Sequence, residues 1–297
     1  MKAVQTRKFG PPEGLQLNEV DKPIPRKNEI LVRIFATTVT SGDAILRSMK
    51  FPLNIIFSLV FGLGKNPILG HELAGEIEEI GNDIKRFRVG DQVFGATGFK
   101  GGTHAEYICL PEDSMVAIKP DNMTFEEAAA VPVGANTALH ILKKGNIHAN
   151  DKVLIYGASG SVGTYAIQLS RYFGADVTGV CSTSNVDLIK SLGAENVIDY
   201  TQEDFAQNGE VYDVIFDAVG KISASECKES LNKDGTFLTV TSSTKDSIEN
   251  ITFLKELIEA GHINAVIDRS YSLEEIVEAH RYVDQGHKKG NVVISVK

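Results

Sequence analysis

Three glycines, Gly157, Gly160 and Gly163, stand three residues apart between an apolar run, Val153-Leu154-Ile155-Tyr156, and an amphipathic stretch that ends at Arg171. The first glycine permits a tight turn, the second lets backbone N–H groups approach an anion with no side chain between, and the third lets a helix pack closely on a strand. Such a turn binds a pyrophosphate at a helix N-terminus, where unpaired N–H groups and the positive end of the helix dipole meet the charge. Ser159, Ser161 and Val162 lie in the same turn and belong to the same cradle. Dinucleotide-binding chains of this kind often place a carboxylate about 20 residues further on, to accept hydrogen bonds from a ribose 2′-hydroxyl. This chain reads Cys181-Ser182-Thr183-Ser184 there, with no carboxylate in the run to repel a 2′-phosphate and three hydroxyls able to donate to one. The expected cofactor is therefore NADPH, although the same hydroxyls could serve as an N-cap for the next helix.

These residues need a scaffold of alternating strands and helices. The apolar run before Gly157 reads as a strand buried on both faces. Further strands are expected at residues 176–181, 196–200, 211–216 and 236–241, with a helix at 185–192 between the first two. That alternation predicts an open, doubly wound parallel sheet. Before about residue 120 the pattern differs, with strands punctuated by Gly10-Pro11-Pro12, Lys22-Pro23 and Val89-Gly90-Asp91, which indicates a mostly β domain. The expected organisation is an α/β protein: residues 1–120 form a substrate domain completed by 268–297, and residues 121–267 form the nucleotide domain. A helix over 124–144, capped by Asn122 or Thr124 with Glu126 and Glu127 in its first turn, should bridge them. A helix over 273–285 and a strand over 291–296 should close the chain.

The run NDKVLIYGASGSVGTYAIQLSR resembles the signature of the zinc-free quinone oxidoreductases, the zeta-crystallin-like family of the medium-chain dehydrogenase/reductase superfamily. The likeness extends to EILVRIFATTVTSGD, to LGHELAGEIEEIGNDIKRFRVGDQVFG, to the AAAVPVGANTALHIL helix and to the closing EIVEAHRYVDQGHKKGNVVISVK. It implies a GroES-like β-barrel domain followed by a Rossmann domain. It also implies that Tyr200 donates to the 2′-phosphate and that Thr137 contacts the cofactor near the nicotinamide. Thr40 falls where relatives commonly carry an asparagine, so it is expected to position the substrate or donate to an oxyanion, while Asp43 matches the aspartate of that loop. The family often has a lysine just after the second strand, where Asn185 and Asp187 stand here. Between Val240 and Ile251 the chain is shorter than its relatives, which commonly use a strand there in forming a homodimer.

His71-Glu72 lies in Gly-His-Glu, which supplies a zinc ligand in the superfamily's alcohol dehydrogenases. A catalytic zinc needs three converging protein ligands. Thr40 replaces the first cysteine, the VPVGAN segment has none, and the four-cysteine lobe of a structural zinc is missing between Gly98 and His104. His71 is thus expected to be a neutral, hydrogen-bonded histidine with Glu72 a structural carboxylate beside it, and no metal is expected.

Without a metal to polarise a plain carbonyl, the expected substrates are quinones and α,β-unsaturated carbonyls, whose conjugated oxygen takes up the charge left by hydride addition. No residue stands out as a general acid. The alternatives are a catalytically idle NADPH-binding protein and, less in keeping with the residues, a zinc alcohol dehydrogenase. A net charge of −9 argues against a nucleic-acid partner or an anionic membrane surface. The apolar segment at residues 51–63 is too short to span a bilayer, which takes about 20 residues, and should form a loop or short helix, either as a lid over the substrate pocket or as a plain core segment. Cys109, Cys181 and Cys227 are odd in number and far apart, so reduced, buried thiols and a cytoplasmic location are expected.

Overall fold

The computed structural model describes residues 1–62, 64 and 66–296. They form two compact units, one of residues 1–133, 246–255 and 267–297, the other of 134–245 and 256–266. Leu63 of the apolar segment and the terminal Lys297 lie outside the described residues.

The first unit contains β1 (Lys2–Thr6), β2 (Leu15–Glu19), β3 (Glu29–Thr38), α1 (Ser41–Ser48), α2 (Leu53–Val60), β4 (Glu72–Ile80), β5 (Gln92–Ala96), β6 (Tyr107–Pro111), β7 (Met115–Ile118) and α3 (Phe125–Ala129). After the second unit's elements it is completed by β13 (Ile267–Ser272), α8 (Ile276–Asp284) and β14 (Asn291–Ser295). Its main sheet runs β13-β14-β3-β4-β5-β7, with β6 also on β3. Strand β3 is the centre of this sheet, since its apolar run Ile30, Leu31, Val32, Ile34 and Ala36 is buried on both faces. One face joins Leu73, Ile77 and Val93 in a core cluster. The other core gathers Val39, Leu46, Leu273, Ile276 and Ile294 around α1, α8 and β14. Helix α2 occupies most of the apolar segment and leaves Leu53, Leu59 and Val60 exposed.

The second unit holds α4 (Pro132–Leu142, beginning at the unit's border), β8 (Lys152–Tyr156), α5 (Ser161–Tyr172), β9 (Asp176–Cys181), α6 (Val186–Ser191), β10 (Asn196–Asp199), β11 (Tyr212–Asp217), β12 (Leu231–Thr239) and part of α7 (Ile248–Glu259). Its sheet is wholly parallel in the order β10-β9-β8-β11-β12. The expected α/β architecture, with a doubly wound parallel sheet beside a mostly β domain, is therefore what the chain adopts. Strand β12 begins earlier than expected and carries an irregularity where its pairing passes from Leu231 to Thr236. The single helix expected over 124–144 is two helices. Thr124 caps α3 in a capping box with Glu127, and the chain breaks before Pro132, which lacks the N–H a continuing helix requires.

The pairing of β3 with β4 sets the geometry of everything at their ends. At Gly75 an added Cβ would stand 2.0 Å from the Arg33 carbonyl oxygen, backbone that cannot yield without moving the strand. Gly75→Ala is expected to lower stability by about 1–3 kcal/mol, as overpacking does, measured by denaturant unfolding.

Candidate active site

In the second unit the three glycines have separate tasks. Gly157 ends β8 with φ +76°, and a Cβ there would meet the Val219 side chain at 2.4 Å. At Gly163 a Cβ would lie 2.3 Å from the Gly157 carbonyl oxygen, so α5 can approach the turn this closely only without a side chain. A Cβ on Gly160 would meet nothing nearer than 3.6 Å, which leaves its face open. Gly160 is the N-cap of α5, whose first turn has no preceding carbonyls for its N–H groups. The sheet order reverses between β8 and β11, and open α/β sheets bind ligands outside the carboxyl ends of the strands at such a point. There the buried Asp217 carboxylate accepts from the N–H groups of Val219, Gly220 and Ile222 and holds the loop that packs on Gly157. Thr137 is half-buried on α4, one turn beyond Gly134, where a Cβ would meet the Ser161 hydroxyl at 2.4 Å. The residues present suit a dinucleotide: an open glycine face, a helix N-terminus and the loop held by Asp217 lie at one end of one sheet.

At the end of β9 the structure departs from the expectation of a site free of carboxylates. Asp199 at the end of β10 pairs in register with Cys181, and its carboxylate accepts from Thr183 Oγ1 at 2.5 Å and from Thr201 and Gln202. The Thr183 and Thr201 hydroxyls lead the interactions that hold the Asp199 carboxyl down at about 2. Thr183 thus directs its one hydroxyl proton to Asp199, while the Ser182 and Ser184 hydroxyls lie 3.4 Å apart in a contact to which either could donate. The sequence signal for Asp199 was present in VIDY, but only parallel pairing brings it beside Thr183. Asn185, which stands near the lysine position of relatives, is buried and donates from Nδ2 to Ser159 Oγ and to Ser182 Oγ, each at 3.1 Å. Both serine oxygens accept from it, so their own protons can point outward. Tyr200 is 55% exposed at the same edge.

In the first unit Thr40, Asp43, His71 and Glu72 come together where β3 runs into α1 and β4 begins. Thr40 caps α1: its Oγ1 accepts from the Asp43 N–H at 3.1 Å and donates to Asp43 Oδ2 at 2.6 Å, and its own N–H reaches the same oxygen at 2.8 Å. An oxyanion role for Thr40 would require that proton to leave Asp43. The Asp43 carboxylate is fully buried, and its Oδ1 accepts from the Gly70 N–H at 2.9 Å and from His71 Nδ1 at 2.7 Å. Burial alone would raise its pKa, but His71 and the other donors hold it well below the usual carboxylate range. Gly70 permits this approach, since with φ +92° a Cβ would meet Thr103 Oγ1 at 2.3 Å and His104 Cδ2 at 2.5 Å.

His71 makes the hydrogen bond expected of it, to Asp43, and that contact sets the direction of its titration. Burial opposes its charged form, yet Asp43 against the ring, with Glu72 and Asp246 beyond, raises its pKa above the ordinary histidine value. Glu72 is the structural carboxylate expected. It accepts from Thr38 Oγ1 at 2.5 Å and from the Val133 N–H at 2.6 Å, and burial pushes it up to about 7. Lys288, brought down to about 8 by burial, faces it electrostatically. Sequence reasoning did not single out Asp246, His104 or Lys288, which lie far from His71 along the chain. Lys22 pairs with Glu78 and lies 4.3 Å from the Tyr107 ring centre. The three cysteines are free thiols, with Cys181 and Cys227 buried and Cys109 half-buried.

This donor set does not fit a catalytic zinc. His71 Nδ1 and the Thr40 hydroxyl both engage Asp43, and among the described residues no three His, Cys, Asp or Glu side chains converge as ligands. Elemental analysis of purified protein is expected to find no stoichiometric zinc, and chelators should leave activity intact; about one zinc per chain, removed by His71→Ala, would overturn this.

Two family models match the chain: the alcohol dehydrogenase GroES-like domain over residues 26–121 and zinc-binding dehydrogenase over residues 161–279. The chain is 30% identical over 318 residues to 2-methylene-furan-3-one reductase of Solanum lycopersicum, covering 99% of this chain and 79% of the relative. It is 27% identical over 318 residues to the chloroplastic NADPH-dependent alkenal/one oxidoreductase of Arabidopsis thaliana, again covering 99% and 79%. Among solved structures, the quinone oxidoreductase from Coxiella burnetii superposes with a TM-score of 0.87 at 29% identity, over 100% of this chain and 99% of the other. No helix among the described residues is long and apolar enough to cross a membrane. With the barrel strands, the parallel sheet and the glycine turn in place, the chain belongs to the medium-chain dehydrogenase/reductase superfamily, as an oxidoreductase related to its quinone oxidoreductases.

Proposed function

We propose that the protein is an NADPH-dependent, zinc-independent reductase of quinones and α,β-unsaturated carbonyls. The observation that carries this reading is the open glycine face of Gly160 at the N-terminus of α5, at the carboxyl ends of β8 and β11. The relatives are named for reduction of a methylene-furanone, of alkenals and enones and of quinones, which supports the substrate class. Bound at that turn, a reduced nicotinamide supplies hydride to an electrophilic carbon. The N–H groups opening α5 would hold the pyrophosphate, and the Asn185 amide, by donating to the Ser159 and Ser182 oxygens, leaves their protons able to reach a ligand. A conjugated acceptor is favoured because its oxygen takes the charge, so hydrogen bonding and one proton complete the reduction where no Lewis acid is supplied.

The 2′-phosphate is assigned to Ser182, Ser184 and Tyr200, with the charge on Asp199 working against it. Each hydrogen bond to a charged acceptor contributes about 1.5–3 kcal/mol. Tyr200→Phe together with Ser182→Ala is expected to weaken NADPH while leaving NADH nearly unchanged, as read by fluorescence titration. Equal weakening of both cofactors would place the phosphate elsewhere.

The reaction itself is checked by label transfer. Deuteride from labelled NADPH is expected at the β-carbon of the saturated product of an enone. Label at the carbonyl carbon of an allylic alcohol would mean carbonyl reduction, and absence of turnover across a panel of quinones, enones and enals would remove the reductase reading.

A further inference from the structure

A cavity of about 390 Å³ lies within the second unit, at the opposite end of α5 from the glycine turn. The 12 residues of α5 span roughly 18 Å at about 1.5 Å each, so the cavity is no part of that turn. Three helix ends wall it: Arg171 and Tyr172 of α5, Leu192 just past α6, and the chain from Gly261 to Asn264 after α7. Each helix stops at a glycine of positive φ, Gly174, Gly193 and Gly261. The N–H groups of these glycines go to the carbonyls of Arg171, Lys190 and Ile258, and those of the next residues to Ser170, Ile189 and Leu257. The terminal carbonyls are thus used within the turns, and side chains decide what the cavity attracts.

Two features hold those side chains in place. Gln168 is buried and grips Asn264 twice, its Oε1 accepting the Asn264 N–H at 2.8 Å and its Nε2 donating to the carbonyl at 3.1 Å. That fastens the chain after α7 to α5. At Gly193 a Cβ would stand 2.5 Å from Arg171 Cδ and 2.7 Å from its Nη1, so the arginine lies across the end of α6 in space that a side chain there would fill.

Arg171 is the cavity's permanent charge. Among the described residues no Asp or Glu lines the cavity, and the Arg171 guanidinium has no ion-pair or hydrogen-bond partner. A guanidinium is a planar fork of five N–H donors with no acceptor, and its complement is a carboxylate or phosphate oxygen pair. Beside it the Tyr172 and His262 rings, 5.0 Å between centres, and Leu192 supply apolar surface. Sites for small organic molecules begin at about 300 Å³, so the cavity has room for more than an inorganic ion.

We propose that this cavity binds a small organic oxyanion, a carboxylate or a phosphate monoester, with its charged group on the Arg171 guanidinium and its body against Tyr172, His262 and Leu192. The site is separate from the dinucleotide turn and does not depend on the reductase reading. It involves binding alone, with no covalent step.

Calorimetric titration of the full chain with benzoate, phenyl phosphate, inorganic phosphate and neutral benzamide tests this. At least one aromatic anion is expected to saturate a single site, about tenfold or more tighter than inorganic phosphate and than benzamide. Whichever of the two binds tighter identifies the source of the oxyanion. Arg171→Gln should abolish that binding, and Arg171→Lys, which keeps the charge but not the fork, should weaken it by about tenfold. NMR amide shifts on binding should centre on Gly193, Gly261 and Asn264. Absence of saturable binding by both aromatic anions overturns the proposal, as does binding that survives Arg171→Gln or that shifts only the turn around Gly160. Should Arg171→Gln not fold, the wild-type shift map decides between the two places.

Discussion

A carboxylate buried without partners costs several kcal/mol, and breaking a buried charge pair by removing one member typically costs about 3–5 kcal/mol. Asp43 is fully buried, and the first unit is arranged around that constraint. Its side chain is at once the reciprocal partner of the Thr40 cap, the acceptor that fixes Gly70 and the anchor of the His71 ring. The contacts come from two segments, the Thr40 loop and Gly70-His71, so satisfying one carboxylate locks the end of β3, the first turn of α1 and the approach to β4 into one geometry. The nearby Glu72 joins that geometry to the entrance of α4 through the Val133 N–H.

The second unit meets an opposite demand. Its anion-binding turn must leave backbone donors available to a ligand, and the protein achieves this by removing side chains. Gly157 and Gly163 are packed against backbone and Val219, while Gly160 faces open space. Asp217 performs for this turn what Asp43 performs in the barrel, gathering three N–H groups so that the adjoining loop lies against Gly157. The serines and Asn185 then form a secondary layer in which one buried amide orients two hydroxyls.

Much of this was legible along the chain because its causes are local. The spacing of Gly157, Gly160 and Gly163, the apolar run before them and the alternation after them depend on neighbours a few residues away. For the same reason α5, β9 and the polar capping residue Thr124 appear where the residues indicate. Expectations weakened where one local signal overrode another, as when Pro132 split a stretch that otherwise reads as continuous helix. They failed where chemistry depended on separate segments. Asp199 lies sixteen positions from Thr183, yet parallel pairing joins them at 2.5 Å.

The sequence by itself determined the fold class, the glycine-spaced turn and the placing of Thr40 and Asp43 in one loop, because residue type and short-range spacing suffice for each. Only the tertiary structure decided which protons those residues share. Thr40 and Asp43 are three residues apart, and their capping box can be read from that spacing, but His71 reaches Asp43 only because β4 pairs antiparallel to β3. Burial then turns that contact into chemistry. In water a carboxylate and an imidazole interact weakly, whereas inside the barrel the same pair fixes a tautomer and favours the charged ring.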